Sequence, residues 1–147
     1  QIKDIVDSVE IPVIANGDII DASTSLACLE KTGAGGLMIG RGAIGRPMIF
    51  HEIKRDLGWS VEKPPWGDDN IASSRLWCWN RYLELSSELY TNSNNKNLKR
   101  HAVSFTKGLP GASKMRVELH SMPTLEKMGE RVKQYLEELT ELESLTV

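Results

Sequence analysis

The sequence predicts an α/β segment followed by an all-α one. Two short apolar runs, residues 11–15 and 37–39, each end in a glycine turn, with helical spacing between them. After residue 70 every apolar pattern has the helical period. Between the two kinds of pattern, residues 59–70 contain Pro64, Pro65, Gly67, Asp68 and Asp69, the composition of a linker. The expected organisation is a βα part over residues 1–58, a linker over 59–70 and a small helical bundle over 71–147.

Residues 1–9 read as the end of a helix, with Ile2, Ile5, Val6 and Val9 on one face. Residues 11–15 are a bounded apolar run, as expected of a strand buried on both faces in a parallel sheet. Asn16-Gly17-Asp18 is a turn tripeptide whose glycine can take positive φ. Over residues 21–32, Ala22, Leu26 and Leu29 recur at helical spacing, and Gly33 stops the helix. Leu37, Met38 and Ile39 form a second buried strand, followed at once by Gly40-Arg41-Gly42-Ala43. Residues 40–45 suit a short helix, and residues 47–57 a further one started by Pro47 and stopped by Gly58.

In the second half, residues 71–90 form a long helix. Leu76, Trp79, Leu83 and Tyr90 line one stripe, and Cys78, Tyr82, Leu85 and Leu89 a neighbouring one. A face that wide calls for more than one partner helix. Residues 91–95 are a polar turn, and Asn95 is placed to cap a helix over 96–107. Leu98, Ala102 and Phe105 form its apolar face, opposite Lys96, Arg100 and Lys107, before Gly108 and Pro110 end it. Ala112, Met115 and Leu119 mark a short helix. Pro123 and Thr124 start the last one, with Leu125, Met128, Val132, Tyr135, Leu136, Leu139 and Leu142 on its stripe. The expectation is an antiparallel bundle.

The chain has 147 residues and a net charge of −2. A closed (β/α)8 barrel takes about 250 residues, so this length holds only a part of one. Charge is unevenly spread. Residues 96–117 contain Lys96, Lys99, Arg100, Lys107, Lys114 and Arg116 and no acid, while the stretches on either side are net acidic. A charge run is usually a solvated face, but this one stands out in an acidic chain and points to an anion-binding surface. Cys28 and Cys78 each fall within a helix, outside any CxxC pair or metal-ligand cluster. They read as small buried hydrophobes in a reducing compartment, and no metal is expected. No apolar run reaches the roughly 18 residues of a membrane span. Trp77 and Trp79 are expected in the core, and Trp59 and Trp66 as pins for the linker. His51 and His120 read as surface residues. His101 suits equally a nucleic-acid contact and the edge of an apolar face.

Loops that follow neighbouring parallel strands lie on one face of the sheet, where α/β folds bind ligands. The N–H groups of Gly17, Asp18, Gly40 and Arg41 are therefore placed to donate to a phosphate, with the Arg41 guanidinium adding charge. Asn16-Gly17-Asp18 alone could be a plain sheet-to-helix turn; the second glycine turn after the next strand strengthens the ligand reading. A carboxylate repels phosphate, so Asp18 is expected to offer its N–H or to cap the helix after it. In (β/α)8 barrels the phosphate site is typically built from the loops after strands 7 and 8 plus a short extra helix, a role residues 40–45 suit.

IPVIANGDI at residues 11–19 and TGAGGLMIGRGAIGRPMIF at 32–50 resemble the last two βα units of tRNA-dihydrouridine synthases. RHAVSFTKGLPGASKMR at 100–116 resembles the helical RNA-binding domain that follows their barrel. The resemblance covers nearly the whole chain. It implies the C-terminal fragment of a TIM (β/α)8 barrel with a small helical bundle behind it. It implies FMN-dependent reduction of uridine to 5,6-dihydrouridine in tRNA, with NADPH as hydride donor, in a cytoplasmic monomer. Asn16, Gly17, Asp18, Gly40 and Arg41 would contact FMN, and Lys96, Lys99, Arg100, Lys107, Lys114 and Arg116 the tRNA. The family's catalytic acid is a cysteine on an upstream barrel loop with no counterpart here, so no catalytic residue is expected. The chain begins without Met and within an element, which reads as the C-terminal part of a longer protein. Two other functions fit less of the pattern: an FMN-dependent barrel oxidoreductase acting on a small substrate, and a non-catalytic RNA-binding helical module.

Overall fold

The structure is a computed structural model that describes residues 1–67, 70–89 and 97–145. The chain divides into two compact units, Gln1–Glu62 and Lys63–Val147.

The first unit runs α1 (Ile2–Val6), β1 (Ile14–Asn16), α2 (Ala22–Thr32), β2 (Gly36–Met38), a 3-10 turn (Arg41–Ala43) and α3 (Ile49–Asp56). β1 and β2 pair in parallel, with Ile14 opposite Gly36 and Asn16 opposite Met38. The connection between them passes through α2, as parallel strands require. Asp21 caps α2: its carboxylate accepts from the Thr24 N–H at 2.8 Å, and the Thr24 hydroxyl accepts from the Asp21 N–H at 3.1 Å. The Thr24 N–H bond, and then a bond from the Thr24 hydroxyl to the same carboxylate at 2.8 Å, hold the Asp21 carboxyl below its usual range. Gly33 ends the helix in the left-handed region (φ 67°), its N–H bonded to the Leu29 carbonyl at 2.8 Å.

Both strands are shorter and more exposed than the sequence suggests. Residues 11–15 and 37–39 read as strands buried on both faces; here the ladder spans only Ile14–Asn16 and Gly36–Met38. Side chains alternate along a strand. Ala15 is buried, and Leu37 packs on the core of Ile19, Ile49 and Ile53, while Ile14 and Met38 on the opposite face are 58% and 50% exposed. The helices of this unit cover one face of the sheet, and an apolar run reports burial without saying what supplies it.

The second unit contains α4 (Ile71–Leu89), α5 (Leu98–Thr106), α6 (Ala112–Ser121) and α7 (Leu125–Ser144). α7 packs on α4 and α5, and α5 on α6. Asn70 accepts from the Ser73 N–H at 2.9 Å at the start of α4, and Thr124 caps α7 through the Lys127 N–H at 3.3 Å. Trp79 is fully buried. Its ring stacks on Tyr82 with centroids 5.3 Å apart and tilts against Phe105 at 5.0 Å, and its Nε1–H donates to the Gly129 carbonyl at 3.0 Å. A Cβ on Gly129 would lie 3.3 Å from Leu83 Cδ2, so α4 and α7 approach closely there.

Four expectations need correction. Trp77 is 39% exposed and meets the Trp66 ring at 5.9 Å, because residues two apart on a helix cannot share a face with Trp79. Trp59 is 51% exposed, so half of it faces water and not a neighbouring surface. Leu85 and Leu89 are exposed, since α4 has one main partner, α7, and the second stripe runs past its cover. α5 stops at Thr106, with Lys107 already extended at ψ 132°. Tyr90 and the Asn95 cap lie outside the described residues.

Candidate functional site

Because β1 and β2 are parallel and in register, the loops that follow them leave from the same end of the sheet. They enclose a cavity of about 330 Å3 lined by Asn16, Gly17, Asp18, Ile19, Ile20, Gly40, Arg41 and Gly42. All five residues read from the sequence as cofactor contacts therefore stand around one space. The loops also touch backbone to backbone. A Cβ on Gly42 would lie 2.2 Å from the Ile19 carbonyl oxygen, so only glycine fits there. At Gly17 the reverse holds: an added Cβ meets nothing within 4 Å, and at Gly40 it meets only Met38 Sδ at 4.0 Å. The backbone at these two glycines is open to an incoming group.

Asp18 has φ 42°, a left-handed conformation that aspartate tolerates better than most residues. It does not cap α2; Asp21, three residues on, does. The Asp18 carboxylate instead accepts from the Arg41 guanidinium at 2.5 Å, linking the two loops across the cavity mouth. Both side chains are exposed, and ion pairs of this kind are weak and exchangeable. Arg41 can thus turn toward an anion at little cost. The sequence reading did not single out Arg46. Its guanidinium donates to the Ile20 carbonyl at 3.3 Å and pairs with Glu52 at 2.5 Å, tying the loop after β1 to α3. A second cavity of about 620 Å3 between α1 and α2 shares Asn16, Gly17 and Asp18 and includes Lys3, Cys28 and Lys31.

In the second unit Lys99 and Arg100 on α5, Lys107 just after it, and Lys114 and Arg116 on α6 are all exposed. Lys96 lies outside the described residues. The first acid beyond this run, Glu118, is half-buried and pairs with Arg131 at 3.3 Å. His101 is half-buried, its ring 5.0 Å from that of Tyr82. Burial, and then the Arg100 charge, lowers its pKa. Of its two sequence readings, the edge of the apolar face matches this packing. The turn between α5 and α6 is held from outside. Arg75 donates to the carbonyls of Phe105 and Lys107, each at 2.7 Å, and the Tyr135 hydroxyl donates to that of Pro110 at 2.6 Å. Neither residue stands out in the sequence as part of a site.

Cys28 is half-buried in α2 and Cys78 buried in α4, as structural thiols are. Among the described residues no cluster of His, Cys, Asp and Glu is placed to hold a metal ion, and no helix is long and apolar enough to cross a membrane.

A family model described as dihydrouridine synthase (Dus) matches residues 1–141. A probable tRNA-dihydrouridine synthase 1 from Synechocystis sp. is 32% identical over 117 residues, covering 79% of this chain and 32% of the relative. A probable tRNA-dihydrouridine synthase from Rickettsia conorii is 30% identical over 145 residues, 98% of this chain and 43% of the relative. tRNA-dihydrouridine synthase B of Serratia marcescens is 52% identical over 65 residues, 44% of this chain and 20% of the relative. The chain spans about a third of the length of the curated relatives it matches. With a family match over nearly its whole length and the paired glycine turns in the parallel βαβ unit, the chain belongs to the dihydrouridine synthase family.

Proposed function

We propose that this chain acts as the C-terminal part of a tRNA-dihydrouridine synthase, which reduces uridine to 5,6-dihydrouridine in tRNA using FMN and NADPH. Residues 1–58 belong to its TIM barrel and grip the flavin phosphate, residues 59–70 link, and residues 71–147 contact tRNA. The observation that carries the reading is the meeting of two glycine turns at one end of a parallel βαβ unit, around a cavity lined by Asn16, Gly17, Asp18, Gly40 and Arg41. The exposed sheet face with Ile14 and Met38 supports the barrel, because inward side chains of a barrel are covered by those of further strands.

The residues present fit the phosphate end of FMN. Gly17 and Gly40 leave their backbone open to an anion, and Arg41 supplies a positive charge next to them. Bound there, the flavin supplies the hydride chemistry of the reaction. This chain's residues bind and orient; none is assigned a catalytic role. Lys99, Arg100, Lys107, Lys114 and Arg116, together with Lys96, suit the phosphates of a folded RNA, which is recognised mainly by shape and charge. A small-substrate oxidoreductase has no use for such a face. The working form is a cytoplasmic monomer.

The test uses the full-length protein. Flavin content is read from its absorption spectrum, and tRNA affinity is measured over a salt series for wild type and an Arg100→Ala, Lys107→Ala variant. Flavin content stays unchanged in the variant and affinity falls. The slope of log affinity against log salt drops by about 0.7 to 0.9 per lost phosphate contact. A wild type without flavin removes the enzyme reading. Equal slopes and affinities reduce the basic run to a solvated face.

A further inference from the structure

The five exposed bases of the 97–117 run sit on two short helices joined by a turn. Lys99 and Arg100 are on α5, Lys107 is at the start of the turn, and Lys114 and Arg116 are on α6. The turn contains two left-handed glycines, Gly108 (φ 78°) and Gly111 (φ 76°). Glycine gives up more conformational freedom than any other residue when it is fixed, so such a turn is loose unless something ties it. Within it, the Leu109 N–H reaches the Thr106 carbonyl at 3.3 Å and the Ala112 N–H the Leu109 carbonyl at 3.1 Å.

Three further bonds come from the two long helices. Arg75 on α4 donates to the carbonyls of Phe105 and Lys107 at 2.7 Å each. These are carbonyls at the C-terminal end of α5, where a cation is also favoured by the helix dipole. Tyr135 on α7 donates its hydroxyl to the Pro110 carbonyl at 2.6 Å, and its ring would lie 4.0 Å from a Cβ on Gly111. Tyr135 is 6% exposed, so its hydroxyl serves the turn and does not reach an incoming ligand. The turn is thus clamped at both ends by side chains of the two long helices.

We propose that Arg75 and Tyr135 are positioning residues for RNA binding: by clamping the 107–111 turn they fix the spacing between the bases of α5 and those of α6. This rests on the tRNA reading of the basic run. Ligands gain affinity when the groups that meet them are ordered beforehand, since the ordering entropy is then not lost on binding. A clamp of this kind alters affinity without altering the number of phosphates neutralised.

That difference supplies the test. Tyr135→Phe removes one hydroxyl and keeps the ring. Arg75→Lys keeps the charge but is shorter than arginine, whose Nη1 alone reaches both carbonyls. In the full-length protein each variant should bind tRNA about three- to tenfold more weakly, the range expected from one ordinary hydrogen bond. The slope of log affinity against log salt should match wild type, and hydrogen exchange at residues 107–111 should quicken. Unchanged tRNA affinity in both variants overturns the proposal, including when the melting temperature falls, because the bonds then serve stability alone. A reduced slope also overturns it, because the residues would then be contacts. The Arg100→Ala, Lys107→Ala variant separates the two claims. If it binds like wild type, the RNA reading fails and takes the clamp with it. If it is weakened while Tyr135→Phe and Arg75→Lys are not, only the clamp fails.

Discussion

Ile14 and Trp79 show how differently the two units are completed. Ile14 begins a paired strand and is 58% exposed; Trp79 sits in a helix and is fully buried. The same contrast holds around them. The first unit closes a core of Ile19, Ile49 and Ile53, and leaves Ile11, Ile14, Ile20, Met38 and Phe50 largely in water. The second buries Trp79, Phe105, Leu119, Met128, Val132 and Leu136 between its helices. Helices with apolar stripes can cover one another in a set of four. A sheet needs cover on both faces, and a two-stranded sheet with helices on one side has it on one only. The candidate sites differ in the same sense. In the first unit the proposed binding groups are backbone at Gly17 and Gly40; in the second they are exposed lysine and arginine side chains.

The largest expected effect tests that contrast directly. Trp79→Ala removes a buried indole, two ring contacts and the bond to Gly129, and should destabilise the second unit by about 3–5 kcal/mol. In the 147-residue chain Ile14→Ala should stay within about 0.5 kcal/mol, as exposed positions do. In the full-length protein, where the proposed barrel covers that face, the same substitution should approach the roughly 2–5 kcal/mol of a core truncation. Denaturant unfolding of the two forms measures this. Equal small effects of Ile14→Ala in both would mean that the face is not covered by a barrel.

Next in size are two glycine substitutions that separate how the first site is built from what it holds. Gly42→Ala sets a methyl 2.2 Å from the Ile19 carbonyl oxygen, which backbone must yield to accommodate. Its cost should be that of overpacking, about 1–3 kcal/mol, with loss of flavin. Gly40→Ala has room, its nearest neighbour being Met38 Sδ at 4.0 Å, so stability should change by less than about 0.5 kcal/mol. The methyl nevertheless stands where a phosphate would approach, and flavin content of the full-length protein should fall. Full flavin retention in Gly40→Ala would place the phosphate away from this loop.

The sequence made the periodic parts of this molecule legible: the α2 helix, the first stripe of α4, the stripe of α5 and that of α7 up to Leu139 follow the spacing of their apolar residues, while Leu26, Leu85, Leu89 and Leu142 fall on exposed ground. The parallel pairing of β1 and β2 follows from a helix lying between two apolar runs. Strand extent was less legible, because an apolar run at 11–15 does not say whether a neighbour covers it. The glycine turns were readable as a place, since Gly17, Gly40 and Gly42 punctuate strand ends. The contact between Gly42 and the Ile19 carbonyl was not, being set by how two loops meet in space. A signal for the true cap of α2 was present: Thr24 follows Asp21 by three residues, the spacing of a reciprocal cap, and Asp18 has no such partner. The exposure of Trp77 was also implied by its offset of two from Trp79. Arg75 and Tyr135 carried no signal. Their acceptors lie 30, 32 and 25 residues away, and Tyr135 falls on an apolar stripe where its hydroxyl passes for one more core residue.

The smallest effect distinguishes the units by pH. His101 is half-buried against Tyr82, and burial, then the Arg100 charge, lowers its pKa from the ordinary 6.5. The folded chain therefore binds this proton less tightly than the unfolded chain. The stability that neutral His101 contributes is present above about pH 6.5 and is lost as pH falls through the lower folded value. Asp21 is also depressed, from 3.8, by the Thr24 backbone and side chain, so what it adds to α2 is present above that value and lost below it. The two windows do not overlap: between about pH 7 and 5 only the His101 contribution changes, and it belongs to the second unit. Hydrogen exchange should show protection of α4 and α5 falling across that range while α2 holds. His101→Gln, which cannot take up a proton, should flatten the decline. The change will be modest, because His101 is only partly withdrawn from water and solvent screens its charge. Parallel pH profiles for wild type and His101→Gln would mean that the charged imidazole is held as well as the neutral one, and that the contact with Tyr82 does not select between them.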